Sequence, residues 1–351
     1  ATACGYLGLK KFGADVNFIV PNRFEFGYGL TPEIVNLANK ENPSLIITVD
    51  NGIASISGVE KAKSYGIDVL VTDHHLPAEN LPDANFIVNP NQGSCKFPSK
   101  NLCGVGVIFY VLLAVRIELR KKNKFVDKPE PILSDLLDLV SLGTIADLVK
   151  LDFNNRILVH YGIERIRSGK CNFGIEALAI LSKKNLKDIK TSDFSFSIAP
   201  KINAAGRLDD MAIGIKCLIS KDKIEAGSYA NKLVLFNEKR KFVENKMKVQ
   251  ALSYLKNYTF KDNYSITMYD IDWHQGVIGI LASRLKEKYS RPTIIFAKDD
   301  RGNLKGSGRS IQSFHLRDAL DFVSKKNPEL ILTFGGHAMA AGLTIKEENF
   351  K

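Results

Sequence analysis

The hydrophobic positions of this chain change period as it runs. Residues 44–49, 69–72 and 86–88 are short β-branched or aromatic runs, the pattern of buried strands, and 16–20 reads as another. Between them 29–40 and 57–65 carry apolar residues at helical spacing. Thr31-Pro32-Glu33 adds a cap, an N1 proline and an early acid to the first of these. Strands alternating with short helices predict a parallel sheet with helices on both faces. The strand at 69–72 runs straight into Asp73-His74-His75 before Pro77 ends it, and the strand at 44–49 ends on Asp50-Asn51-Gly52. Asp50 and His74 are 24 residues apart, about one strand–helix repeat, so they are expected on neighbouring strand ends. That is where an open α/β sheet builds a site.

A helical region follows. Residues 104–122 form a long apolar helix with a basic end, as the helix dipole favours. Residues 133–142 are helical and run into Gly143-Thr144-Ile145-Ala146-Asp147, and further helices are expected at 155–168 and 174–183. The stretch 224–258 contains no proline and predicts one long helix, whose lysines read first as a solvated face. From 264 the alternation resumes, with strands at 264–271 and 293–297 and helices at 277–289 and 314–324. A hairpin-like arm is expected at 304–310, and Gly335-Gly336-His337 reads as a glycine-rich loop. The picture is an α/β protein with a larger domain over 1–220, a connecting helix over 221–260 and a smaller α/β domain over 261–351.

Composition narrows this only a little. At 351 residues the chain can bury two full cores. No apolar run reaches the roughly 18 residues of a membrane span, so no membrane role is expected. The five cysteines are scattered without a C-x-x-C pair, which argues against a disulfide framework or structural zinc and for a reducing cytoplasm. Lys and Arg outnumber Asp and Glu by 49 to 38, a net +11 that fits a polyanionic partner. A lysine-rich composition gives the same excess without any partner.

Asp50, Asp73, His74 and Asp147 offer oxygen and imidazole donors without thiolate, a set suited to Mn²⁺ or Mg²⁺. Two such ions can activate water and stabilise both oxygens of an in-line phosphoryl displacement. One Asp at a strand end is as often a helix cap; the joint occurrence carries the weight.

Thr48-Val49-Asp50-Asn51-Gly52, Val71-Thr72-Asp73-His74-His75 and Gly143-Thr144-Ile145-Ala146-Asp147 resemble motifs II, III and IV of the DHH phosphoesterase family. Residues 198–208, Gly306-Ser307-Gly308-Arg309-Ser310 and Gly335-Gly336-His337-x-x-Ala340-Ala341-Gly342 narrow the resemblance to its bacterial single-strand-specific 5′→3′ exonucleases. It covers essentially the whole chain, in order. It implies a DHH catalytic domain followed by a DHHA1 substrate-binding domain. It also implies two-metal hydrolysis of single-stranded DNA from its 5′ end to 5′-mononucleotides, in DNA repair and recombination. A helicase and a single-strand-binding protein are the partners it suggests.

Residue by residue, the resemblance implies that Asp50 bridges or ligates two ions, that His74 ligates one and that Asp147 holds the other. Asp73 would fix the His74 tautomer, and His75 would lie near the scissile phosphate as a donor or proton-transfer group. Arg23 would meet the terminal phosphate and Tyr28 the first nucleotide; alone they read as a solvated Arg and a core-edge Tyr. Arg207 would steady phosphate charge with support from Asn203, in a small-residue segment open to close approach. Ser307 and Arg309 would grip a 5′-phosphate from a glycine-flanked loop, and His337 would face the substrate backbone.

Two other readings stand beside this one. The first is a small-substrate DHH phosphodiesterase of the nanoRNase or cyclic-dinucleotide type; the second is a non-catalytic nucleic-acid-binding module. The long helix and the 306–310 segment favour the exonuclease over the first, and the presence of Asp50, His74, His75 and Asp147 weighs against the second. The opening residues are already in helical register without a cap or an initiating methionine. The resemblance implies an Asp-x-Asp-Gly motif I upstream of Ala1 and an oligonucleotide-binding barrel beyond Lys351. The 351 residues alone are expected to bind a second ion poorly and to cleave little.

Overall fold

A computed structural model describes residues 1–20, 29–208, 210–256 and 264–350. They divide into two compact units, Ala1–Leu235 and Phe236–Lys351. Arg23 and Tyr28 lie outside the described residues.

The first unit opens with helix α1 (Thr2–Lys11), then α2 (Pro32–Asn39), whose Thr31 side chain accepts from the Ile34 N–H with Pro32 at the first helical position. Strand β1 (Leu45–Val49), helix α3 (Ile56–Ser64), strand β2 (Asp68–Thr72) and strand β3 (Phe86–Val88) follow. The three strands form one parallel sheet in the order β1-β2-β3, with Ile46 opposite Val69 and Val49 opposite Thr72. Alternate positions face opposite ways. Ile46, Val69 and Val71 pack with Ile34, Val35, Val59 and Ala62 of α2 and α3. Val49, of the other parity, lies beside Gly5 of α1 and Ile108 of helix α4 (Gly104–Lys121). Each fully buried aliphatic side chain here contributes roughly 1.5–3 kcal/mol.

Residues 16–20, expected as a strand, join no ladder among the described residues. Asn17 Oδ1 accepts the Phe18 N–H at 2.8 Å, and the Phe18 ring sits edge-on to Tyr6 of α1. A side-chain acceptor has taken a donor that a strand would give to its neighbour.

Helix α5 (Leu137–Ala146) carries Asp147 at its C-terminal end and packs on α6 (Phe153–Arg167). The close approach runs through Gly162, where a Cβ would lie 1.9 Å from Ser141 Oγ and 2.1 Å from the Leu137 carbonyl oxygen. Gly162→Ala should therefore destabilise the protein by about 1–3 kcal/mol, the usual cost of overpacking. Urea denaturation checks it; a midpoint unchanged from the parent would show that α5 and α6 have slack.

Helix α7 (Phe173–Leu181) leads through a π-helical turn at Phe194–Ile198 into α8 (Ala199–Leu208). Asn203 to Gly206, read from the sequence as a segment open to a ligand's approach, is instead the middle of α8. Ala204, Ala205 and Gly206 are buried there, so their small size serves helix packing. Helix α9 (Ala212–Ile219) precedes α10 (Lys223–Leu255), 33 residues and about 50 Å long at 1.5 Å per residue.

In the second unit β4 (Ile266–Tyr269), α11 (Ile278–Tyr289), β5 (Thr293–Lys298), β6 (Leu304–Arg309), α12 (Leu316–Lys326), β7 (Thr333–Gly336) and β8 (Ala340–Ile345) form a five-stranded mixed sheet with two helices. Its order is β4-β5-β6-β8-β7, with only β4 and β5 parallel. The segment expected as an arm is thus the central strand. Its glycines are a packing device. A Cβ on Gly306 would meet Phe296 and Leu343 at 2.6 Å, and one on Gly308 would meet Leu316 at 2.6 Å. Gly335 and Gly336, expected in a loop, end the edge strand β7.

Candidate functional site

The ends of β1 and β2 meet as the sequence spacing requires. The Asp50 N–H donates to the Thr72 carbonyl at 3.0 Å, continuing the ladder one residue past the strand. His74 Nε2 then faces two carboxylates, Asp50 Oδ1 at 3.1 Å and Asp147 Oδ2 at 3.4 Å. Asp147 reaches this point from the C-terminal cap of α5, followed by Leu148 at φ +59°. One donor atom each of Asp50, His74 and His75 lies within 4.8 Å of the other two. The four residues converge.

Asp73 does something other than expected. Its carboxylate, 1% exposed, turns inward: Oδ2 accepts the Ile53 N–H at 3.0 Å, and Oδ1 accepts the His74 and His75 N–H groups. Oδ1 also lies 2.7 Å from His75 Nδ1. Asp73 therefore orients His75, while His74 is oriented by Asp50 and Asp147. The physical reason is the turn after Thr72, which brings both histidine amides back onto one carboxylate oxygen. With Nδ1–H donated to Asp73, the lone pair of a neutral His75 ring sits on Nε2.

The electrostatics follow. Burial lowers the His74 pKa, but the Asp50 hydrogen bond and the Asp50 and Asp147 charges outweigh it and the net direction is up. His75 is raised chiefly by its bond to Asp73. Burial raises Asp73, but its hydrogen bonds from His75 and Ile53 hold it below the ordinary carboxylate value. Asp147 is raised by burial and by the charge of Asp50. Two carboxylates and two imidazoles sharing one spot without a thiolate are the donor set of a hard or borderline divalent cation, so the residues present fit Mn²⁺ or Mg²⁺.

Several supporting residues were not singled out from the sequence. Asn89 Nδ2 donates to the His75 carbonyl at 2.9 Å, and Asn91 Nδ2 donates to that of His74. The signal was the Asn-Pro-Asn that ends β3. Gly104, the first residue of α4, sits against Asp50 with no room for a side chain. Asn155, fully buried, donates to the Asn101 carbonyl at 2.7 Å and the Lys150 carbonyl at 2.9 Å. Asp152 accepts from Ser99 and Asn101 as well as from the Asn155 N–H. This pair ties the segment leading into Gly104 to the segment trailing Asp147.

At the opposite end of α5 from Asp147, Asp138 is buried and accepts the Leu139 and Asn172 N–H groups, each at 2.7 Å. Burial pushes its pKa up from 3.8 to about 6 despite these bonds. A raised carboxyl contributes stability below its unfolded pKa and loses it as pH rises through the folded one. Relative to a non-titrating Asp138→Asn variant, the parent should lose about 2 kcal/mol between pH 4 and pH 7. Paired urea titrations at the two pH values measure this, and a constant difference refutes it.

Arg207 and Asn203 lie one turn apart on the same face of α8, Arg207 half-buried and Asn203 exposed. In the second unit Ser307 and Arg309 sit on strand β6, where a glycine-flanked loop was expected. Arg309 Nη1 donates to Ser307 Oγ at 3.1 Å and to the Gly308 carbonyl at 2.8 Å. Gly279, in the first turn of α11, leaves them room: a Cβ there would lie 2.9 Å from Ser307 Oγ and 3.0 Å from Arg309 Nη2. A guanidinium, a hydroxyl and a helix N-terminus thus share one place, an arrangement with the chemistry to hold an anion. Burial lowers the Arg309 pKa. His337 is exposed in the turn between β7 and β8, its N–H donating to the Ala340 carbonyl.

The DHH family N-terminal domain matches residues 1–144, and the DHHA1 domain matches 261–351. The chain is 51% identical, over its whole length, to the single-stranded-DNA-specific exonuclease RecJ of Haemophilus influenzae, covering 62% of that protein. A crystal structure of exonuclease RecJ bound to manganese aligns with 99% of this chain and 83% of its own at a TM-score of 0.81 and 32% identity. RecJ from Thermus thermophilus in complex with Mg²⁺ aligns over 99% of this chain and 45% of its own, with a TM-score of 0.74 and 29% identity. The chain belongs to the DHH/DHHA1 family, in its RecJ branch. It spans about three-fifths of the length of the curated relatives it matches.

Proposed function

We propose that the protein carrying this chain is a metal-dependent exonuclease that hydrolyses single-stranded DNA from the 5′ end to 5′-mononucleotides, in DNA repair and recombination. The observation that carries the reading is the convergence of Asp50, His74, His75 and Asp147 at adjoining element ends. RecJ relatives at about 50% identity are named for this substrate, which supports it.

Asp50, His74 and Asp147 would hold Mn²⁺ or Mg²⁺, which supply Lewis acidity and a low-pKa water. His75, kept in one tautomer by Asp73, presents Nε2 to the reacting phosphate region as a ligand or proton acceptor. Arg207, supported by Asn203, balances phosphate charge. Ser307 and Arg309 bind a phosphate of the strand, Arg23 and Tyr28 receive its first nucleotide, and His337 meets its backbone. The proposed working compartment is the cytoplasm, with a helicase and a single-strand-binding protein as partners; among the described residues no helix is long and apolar enough to cross a membrane. The proposed domains are a catalytic 1–220, a connecting helix over 221–260 and a substrate-binding 261–351.

The test uses the gene product that carries this chain, Mn²⁺, and single strands labelled at either end. Mononucleotides released from the 5′ end first, and lost in Asp50→Ala, are expected. Release from the 3′ end, equal attack on duplex, or activity retained in Asp50→Ala overturns the reading.

A further inference from the structure

The solvent face of α10 within the second unit carries an ordered pattern that neither the metal centre nor the Ser307 and Arg309 arrangement uses. At about 100° per residue, positions seven apart return to one face with roughly 20° of drift. Lys241 and Lys248 form one row, Lys239 and Lys246 another, and Phe242 and Val249 lie between the rows. All four lysines are exposed, and none is ion-paired with a described residue. Phe242 is 73% exposed and Val249 is 60% exposed, although the opposite face of the same helix buries Met247 and Ala251.

Beside the Lys241–Lys248 row lies a groove of about 480 Å³, walled on its far side by Arg284 of α11. Glu244 binds Arg240 at 2.6 Å and reaches Arg284 at 3.4 Å, so the one carboxylate of the groove is already matched. The surplus is positive.

We infer that this face of α10, with Arg284, is a track for the sugar–phosphate backbone of a single nucleic-acid strand, with Phe242 as a stacking platform for a base. Lys241 and Lys248 are about 10.5 Å apart along the axis at 1.5 Å per residue. Phosphates can therefore follow the row while a base turns onto the apolar strip. An exposed aromatic between cationic rows is how proteins hold single strands without reading their sequence. A peptide acidic at every position would satisfy the lysines and leave Phe242 in water. The inference shares the proposed substrate but not the proposed chemistry, so its test is made without catalysis.

Anisotropy of a fluorescent 20-mer of deoxythymidylate is measured in EDTA against salt. Lys241→Gln/Lys248→Gln should flatten the log–log salt slope by about 1.4, at about 0.7 per lost phosphate contact on single strands. Phe242→Ala should weaken the 20-mer about tenfold, as loss of one stacked base does. It should leave an abasic 20-mer unaffected, and Phe242→Trp should restore the loss. Thermal midpoints matching the parent mark the variants as folded. Unchanged slope and affinity in folded variants overturn the track. So does an equal Phe242→Ala loss on the abasic strand, or polyglutamate competing as well as DNA. Because no hydrolysis is read, an inactive protein that still shows the slope change would sink the exonuclease reading and leave the track standing.

Discussion

In the gene product that carries this chain, Gly104→Ala is expected to lower the proposed turnover on single-stranded DNA about 100-fold, the scale of a 1 Å misplacement at a reacting centre. A Cβ at this position would lie 2.3 Å from Asp50 Oδ1, 2.4 Å from its Cβ and 2.5 Å from its Cγ. Neither side can yield cheaply. Helix α4 is anchored by buried Val105, Val107, Ile108 and Leu112, and the Asp50 backbone is bonded to Thr72. The Asp50 carboxylate must therefore swing away from His74. Manganese binding, followed by electron paramagnetic resonance, should weaken with turnover. If binding and turnover both match the parent, Asp50 has room that the geometry denies.

Asp73→Asn should cost about 10- to 100-fold in metal affinity or activity, as loss of a partner behind a metal-site histidine does. The carboxylate accepts from the His75 ring and from the Ile53, His74 and His75 amides. An amide that keeps the Oδ1 bonds must point its NH₂ at the Ile53 N–H, donor against donor and out of water. The His75 pKa, raised by this bond in the parent, should fall in the variant; proton NMR of the metal-free protein reads it directly.

The signs fix the pH window. His75, raised above 6.5, contributes stability that is full below 6.5 and lost as pH rises through its folded value. Asp73, lowered below 3.8, contributes stability that is full above 3.8 and lost as pH falls through its folded value. The parent's advantage over Asp73→Asn should thus be widest between about pH 4 and 6.5 and should narrow above that. An advantage that keeps growing towards pH 9 would contradict the pairing.

The strand ends that bear Asp50 and His74 were legible because a buried strand must stay apolar, so an acid or imidazole at its last position stands out. Side-chain direction was not legible. Asp73 precedes both histidines, and only the turn geometry decides that His75 receives its carboxylate. Glycine was the other blind spot. In Gly306-Ser307-Gly308 it signals flexibility to a sequence reader, yet here it makes space for Phe296, Leu343 and Leu316 in a central strand. Gly104 and Gly279 matter for the same reason, since a missing side chain acquires meaning only beside its neighbour. Asn155 was hidden because its partners are backbone carbonyls, which leave no pattern in residue types.

Asp50 itself has φ +65°, a left-handed conformation that L-residues adopt at a cost of order 1–3 kcal/mol. The chain's own contacts, the next strand's carbonyl and the start of α4, hold it there. Folding has therefore already absorbed the strain, and ion capture needs little further ordering of this residue. The consequence is kinetic. Loading should run as a single step paced by loss of water from the incoming ion, with no slow rearrangement of the β1 end behind it.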